Sequence, residues 1–401
     1  MKDSATSAVN SLALLGAAPA FPEKIHVGRP NLGNRERLIE RINEIVDTRY
    51  LSNSGPFERE FELRICEMLG VQHCVAMCNA TVALEIAIRA LNLSGEVIVP
   101  SFTFVATVHA LQWQQITPVF CDIDPLTHNL DPHKIEGLIT PRTTGILAVH
   151  LWGRPGAIDE LQAIADSNRL ALLFDAAHAF SCKYGGRRIG GFGRAEVLSF
   201  HATKFINAGE GGAVVTDDAD LAARIRLMKN FGFSGYDNVV SIGINGKMNE
   251  LSAAMGLTNL ESLEEFARTN RANFETYQAN LDGIPGISLL RYDERNSPNY
   301  QYVVMEVEAH ELGLTRDQLV SVLHAENVLA RRYFYPGVHR MEPYRSYYPE
   351  TRQSLPATEA LAGRVLVLPT GAGVTFTDIQ KICAIIRFAV EHSREIQGRD
   401  V

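Results

Sequence analysis

The feature that most constrains the fold of this chain is a series of short apolar runs, each closed by a turn-forming or polar residue and spaced by helical patterns. Residues 97–100 (VIVP), 119–122 (VFCD), 145–149 (GILAV), 170–175 (LALLFD), 197–200 (VLSF) and 213–216 (AVVT) read as strands. Near-continuous apolar runs of this length are what strands buried on both faces require, so they predict a mainly parallel sheet covered by helices. Residues 81–93 and 158–168 read as covering helices, the first opened by Thr81 as a cap and the second by acids in its first turn. The class is therefore α/β.

A chain of 401 residues exceeds what one hydrophobic core usually organises. The pattern changes near residue 251, where a charged helical stretch runs to residue 281; residues 302–308 (YVVMEVE) then alternate as a half-buried strand. Near the end, Thr377 and Gln380 have capping-box spacing before an apolar helical pattern. These shifts predict an N-terminal arm (1–30), a large α/β domain (31–255) and a smaller C-terminal α+β domain (256–401).

The net charge is −8 and no Lys/Arg run occurs, which argues against a nucleic-acid surface and confines any anion site to a local pocket. No apolar run approaches the roughly 20 residues needed to span a bilayer. The one stretch that imitates a targeting signal, residues 12–21 (LALLGAAPAF), is too short and too weakly basic upstream. A cytoplasmic protein without membrane contact is expected. The six cysteines form no CxxC pair, which reads as reduced thiols, and the twelve histidines form no HxxxH or HExxH pattern, so no metal is expected.

Two charged residues sit where ligand chemistry is usually placed. Asp175 ends an apolar strand, the edge from which open α/β sheets contact ligands. It reads either as a helix cap or as an anion that keeps a heterocyclic nitrogen protonated. Lys204, in SFHATKFINAGEGG, follows another strand and precedes a Gly-rich turn. Alone it is a solvated lysine; with Ser199, His201, Thr203 and Gly209 around it, it reads as an amine in a ligand site. Pyridoxal 5'-phosphate chemistry needs such an amine to form an imine, and an acid to keep the pyridine an electron sink.

Residues 78–81 (CNAT) precede a helix and read either as an ordinary cap or as a phosphate site at a helix N-terminus. Phe104 is a core aromatic or a face for a flat ring. His178 is a structural histidine or a partner of the ring hydroxyl. The glycines of YGGRRIGGFGRAE put Glu196 where a dinucleotide fingerprint wants a small residue, which argues against NAD.

In this order and spacing, CNATVAL, PSFTFVAT, FDAAHAF and SFHATKFINAGEGGAVVTDD resemble the sugar-nucleotide aminotransferases of the DegT/DnrJ family. Within it, LSNSGPFEREFE, VHLWGRP and SFHATK look most like the 4-aminotransferases of the desosamine pathway. The resemblance implies a pyridoxal-phosphate fold type I enzyme, aspartate-aminotransferase-like, working as a homodimer with shared sites. Lys204 would carry the cofactor and Asp175 would face the pyridine nitrogen. Ala80, Thr81 and Ser199 would bind the phosphate, Phe104 would stack on the ring, and His178 would contact its hydroxyl. Asn245 would reach the phosphate of the neighbouring subunit's cofactor. Tyr333, Tyr335 and His339, in RRYFYPGVHR, read either as sugar-pocket residues or as an aromatic surface. The chain departs from the family's pattern at His178, where Gln is commoner, in CNAT for an SGT-type turn, and at Asn249 for Ser or Thr.

The implied reaction moves an amino group, from glutamate, to the 4-keto carbon of a dTDP-linked 6-deoxy sugar. A 3-aminotransferase, a 3-dehydratase, a pyridoxal-binding regulator without turnover and a Rossmann oxidoreductase are the competing readings. Lys204 argues against the dehydratase, whose relatives carry His there.

Overall fold

The computed structural model describes residues 11–349 and 355–397. The chain opens with β1 (Ile25–His26), α1 (Arg35–Thr48), α2 (Pro56–Leu69) and β2 (His73–Met77). It continues through α3 (Ala80–Ala90), β3 (Glu96–Pro100), α4 (Val105–Gln112), β4 (Thr117–Cys121), β5 (Thr143–Val149), α5 (Ile158–Asn168) and β6 (Ala171–Asp175). A short hairpin, β7 (Lys183–Tyr184) and β8 (Arg187–Arg188), precedes β9 (Ala195–Ser199), β10 (Gly212–Thr216) and α6 (Ala219–Met228). Then come α7 (Glu250–Leu260) and α8 (Leu263–Leu281).

These segments build a seven-stranded sheet in the order β2-β10-β9-β6-β5-β3-β4. β10 runs antiparallel to both its neighbours and the other pairings are parallel. All six strands expected from the sequence lie in this sheet. The seventh, β2, was not expected: its HCVAM opens on His and Cys. Alternate residues feed two cores, with Ile98, Ile146, Leu172 and Leu198 on one face and Val97, Val99, Leu147, Leu173 and Val197 on the other. Period-two alternation with both faces covered is why these runs are almost wholly apolar.

The remainder holds β11 (Ile287–Leu289), β12 (Val303–Val307), α9 (Ala309–Leu312), α10 (Arg316–Ala325), β13 (Val328–Leu329) and α11 (Tyr344–Tyr347). It ends with α12 (Pro356–Arg364), β14 (Val365–Leu368), α13 (Phe376–Glu391) and α14 (Ser393–Gln397). β11, β12 and β14 form an antiparallel sheet. β12 is buried on both faces rather than half-buried. Val303, Met305 and Val307 face the core under α10 and α13, while Val304 packs with Tyr302, Val367, Trp152 and Phe102 against the large sheet.

Two caps differ from expectation. α3 is capped by Asn79, whose extended backbone lets its side chain accept from Val82 N; Thr81 is already helical. α13 opens with a capping box of Thr375 and Asp378, not Thr377 and Gln380. The N-terminal segment is also more than an arm. Leu12, Phe21 and Ile25 are buried in the small-sheet core, the Glu326 carboxylate accepts the amides of Ala13 and Ala20 at 2.6 Å, and β1 pairs in parallel with β13. No helix among the described residues is long and apolar enough to cross a membrane. Cys74, Cys121, Cys182 and Cys383 are buried, and none of the six cysteines is in a disulfide.

Candidate active site

The carboxyl ends of β6 and β9, the start of α3 and the loops after β3 and β13 surround a cavity of about 720 Å3. It is lined by Asp175, His178, Lys204, Ala80, Thr81, Phe104, Ser199 and Tyr333, among others. Eight of the residues singled out from the sequence are thus brought together from segments far apart in the chain.

Asp175 is buried, and its carboxylate accepts from the Thr107 hydroxyl at 2.8 Å and from Ala177 N at 3.1 Å. The chain turns after it instead of entering a helix, so the carboxylate caps nothing. Burial pushes its pKa up, against the pull of the two hydrogen bonds and the charge of Lys204. A buried carboxylate with two donors and no ion-pair partner among the described residues is suited to receive a cation.

Lys204 lies in the turn after β9, with its backbone N–H bonded to His201 O and its Nζ donating to the Tyr302 hydroxyl at 3.4 Å. Burial lowers its pKa to about 8, with the Asp175 charge opposing. Such an amine is partly neutral near physiological pH and is therefore a competent nucleophile.

At the start of α3 the first amides have no acceptor within the helix, and Thr81 adds a hydroxyl. β10 presses close against this turn. A Cβ on Gly212 would come within 2.5 Å of Ala80 N, so only glycine fits there. Ser199 ends β9 beside it. Phe104 keeps 55% of its surface exposed as it lines the cavity, which excludes a purely structural place in the core.

The His178 ring lies near-parallel to those of Trp152 and Phe334. Its Nδ1 accepts from Trp152 N at 3.3 Å, which leaves the proton on Nε2, and that nitrogen has no partner among the described residues. Burial holds the imidazole well below its ordinary pKa, helped by Lys204, so it is a neutral donor in the cavity wall.

Three singled-out residues do not line the cavity. Asn245 is exposed, its side-chain oxygen accepting from Lys247 Nζ at 2.7 Å. Tyr335 points outward between the guanidinium groups of Arg316 and Arg332. His339 is buried against Ser101 Oγ at 2.6 Å and Glu359 at 3.2 Å. The loop after β13 turns sharply enough that Tyr333 and Phe334 face in while Tyr335 faces out.

The sequence reading missed Tyr302, Thr107, Arg331 and the residues of 26–30 that line one side of the cavity. Thr107 lies within the PSFTFVAT block, and Tyr302 heads the strand pattern at 302–308, so both were visible but carried no chemical signal of their own.

A buried acid without a cation, a lysine of lowered basicity, an anion-accepting helix start and a half-exposed aromatic face fit pyridoxal phosphate, and they define a pyridoxal-phosphate-dependent aminotransferase. The chain belongs to the DegT/DnrJ/EryC1/StrS aminotransferase family, whose sequence profile it matches over residues 33–387. It is 36% identical over 366 residues to the dTDP-4-amino-4,6-dideoxy-D-glucose transaminase of Escherichia coli, covering 90% of this chain and 98% of that one. It is 34% identical to the GDP-perosamine synthase of Caulobacter vibrioides, over 90% of this chain and 97% of that one. Among solved structures it is similar to DesI, crystallised in the presence of its TDP-sugar product, with a TM-score of 0.92, 48% identity, and coverage of 97% of this chain and 98% of that one.

Proposed function

We propose that this aminotransferase moves an amino group from L-glutamate to the C4 keto carbon of dTDP-4-keto-6-deoxy-D-glucose, giving dTDP-4-amino-4,6-dideoxy-D-glucose. The observation that carries the reaction type is the meeting of Lys204 and Asp175 in one cavity. The substrate rests on the likeness to the dTDP-sugar transaminases and to DesI. Pyridoxal phosphate supplies an aldehyde for the amine and a ring that withdraws electrons from the reacting carbon.

In this reading Lys204 would hold the cofactor through its amine, and that amine would serve as the proton-transfer group at the reacting carbon. Asp175 keeps the ring nitrogen protonated, Ala80, Thr81 and Ser199 take the phosphate, Phe104 covers the ring face, and His178 donates to the ring oxygen. Tyr333 borders the sugar. The domain division is 31–255 for the cofactor-binding part and 256–401 for the small part, with the boundary inside α7.

The working form in this proposal is a cytoplasmic homodimer. Phe231, Phe233, Tyr236, Val239, Val240, Ile242 and Ile244 are all exposed in the loop leading to Asn245. An apolar patch of that kind suits burial against a second copy, whose cofactor phosphate Asn245 would then reach.

The test incubates purified enzyme with glutamate and a panel of dTDP- and UDP-linked keto sugars, and identifies the aminated carbon by NMR. A C4 amine on the dTDP sugar is expected, with Lys204→Ala inactive. Amination at C3, or turnover by Lys204→Ala, would overturn the proposal.

A further inference from the structure

The sequence treats residues 25–30 as part of an arm and Arg331 as one of two consecutive arginines. The fold gives them a shared position. β1 and β13 run parallel, with Ile25 opposite Val328 and His26 opposite Leu329, so the two chains leave this pairing side by side in the same direction. Their continuations deliver Arg29 and Arg331 to the wall of the same cavity.

Arg331 is held at its backbone and Arg29 by one guanidinium nitrogen, which leaves both with free donors. The Arg331 backbone exchanges hydrogen bonds with Val367, at 3.1 Å to its carbonyl and 2.8 Å from its amide, and its guanidinium lies 5.0 Å from the Tyr333 ring centroid. Arg29 donates one guanidinium nitrogen to Gly373 O at 2.9 Å and keeps the rest of its fork. Neither has a carboxylate partner among the described residues, whereas the adjacent Arg332 is paired with Asp317 at 2.9 Å.

The other charged groups of the cavity are accounted for. Asp175 and Lys204 form its reactive part, and Glu210 lies 3.7 Å from His201. Two unpaired, exposed arginines in a chain of net charge −8 therefore make a local cationic rim that calls for an anion with more than one charge.

We infer that Arg29 and Arg331 form a clamp for the diphosphate of the nucleotide-sugar substrate, with the N-terminal segment as one jaw. The clamp rests on the proposed sugar-nucleotide substrate and deepens it. A planar guanidinium matches phosphate oxygens two at a time, which lysine does not. It also gives the site a way to hold a long substrate by a part remote from the reacting carbon.

The test measures binding of dTDP, dTMP and thymidine to the holoenzyme by calorimetry. Losing a charge-assisted contact of about 1.5–3 kcal/mol corresponds to about 10- to 150-fold weaker dTDP binding in Arg331→Met. The loss is expected to be smaller for dTMP and smallest for thymidine, with Arg29→Met following the same order. Arg331→Lys recovers part of the affinity. Arg332→Met, whose partner is Asp317, stays within about twofold of the parent protein, as a surface pair allows.

Equal weakening of dTDP and thymidine would refute the clamp. So would unchanged dTDP binding with a raised KM for glutamate, which would assign Arg331 to the amino donor's carboxylates. Failure of the parent holoenzyme to lose its cofactor absorbance with glutamate would instead sink the proposed reaction, so the two failures are told apart. Cofactor absorbance of each variant confirms that it is folded.

Discussion

Replacing Thr107 by Val tests the account of Asp175 most directly. The Thr107 hydroxyl is one of two donors to a buried carboxylate, at 2.8 Å, and the Thr103 hydroxyl lies 3.1 Å from it in turn. Valine keeps the shape and removes the donor, so the ionised carboxylate loses about 1.5–3 kcal/mol of stabilisation. That equals a rise of about one to two units in the Asp175 pKa, at 1.36 kcal/mol per unit. Burial raises the Asp175 pKa in the folded state, so stability is lost as pH climbs from the unfolded-state value to the folded-state value and is constant above it. The difference between parent and Thr107→Val apoprotein should therefore be small in acid, grow once pH passes the parent's folded-state value, and level off above the variant's. Urea unfolding of the apoprotein across a pH series measures it. Thr107→Ser should restore the parent profile, and adding Thr107→Val to Asp175→Asn should give a pH-independent difference. A constant difference in the Asp175 background would refute the reasoning, because the hydroxyl would then not be sensing the charge.

Lys204 carries a second pH dependence of known sign. Its pKa is lowered to about 8, so the rate at which apoprotein captures pyridoxal phosphate should rise about tenfold per pH unit below that value and level off above it. Stopped-flow absorbance reads this. A midpoint at the ordinary lysine value would contradict it, and Asp175→Asn, which removes the opposing charge, should move the midpoint lower. Tyr302→Phe removes the hydroxyl that accepts from Lys204 Nζ. Amino transfer from glutamate should slow by about tenfold, as expected for loss of one oriented hydrogen bond, with cofactor content retained; an unchanged rate would show that Tyr302 only packs.

What the sequence made legible follows from what each residue must do. The strands of the parallel sheet could be read because burial on both faces leaves them mostly apolar residues; β2 escaped although its run is similar, because it starts with His and Cys. Asp175 alone reads as a cap and Lys204 alone as a surface lysine; their spacing and the phosphate-type turn upstream are what singled them out. Thr107 and Tyr302 were not singled out, since a threonine in a helix and a tyrosine just before a strand are ordinary until the fold points them at Asp175 and Lys204. Tyr335 and His339 show the converse error: their residue types suit a sugar pocket, but only coordinates reveal that one faces solvent and the other is taken by Ser101 and Glu359. The parallel pairing of β1 with β13 involves two residues on each side, too few to leave any pattern.

The cavity is also tied to the small sheet through a chain of buried donors. Trp152 N donates to His178 Nδ1, and the Trp152 indole N–H donates to His128 Nδ1 at 3.2 Å. An indole can only donate, so the His128 proton sits on Nε2, facing Glu306 Oε1 at 3.2 Å. Glu306 on β12 is paired with Arg364 as well. Burial alone would raise the Glu306 pKa, yet His128 and Arg364 together bring it below its ordinary value. Trp152→Phe keeps the aromatic packing and leaves His128 Nδ1 buried without a donor, at a cost of about 1–3 kcal/mol. That cost is largely absent when His128 is already leucine, because no acceptor remains to be stranded. Unfolding free energies for Trp152→Phe, His128→Leu and the double variant should therefore show a coupling of about 0.5–3 kcal/mol. Strict additivity would mean that the two rings merely touch, and that His178 and the small sheet are not joined through Trp152.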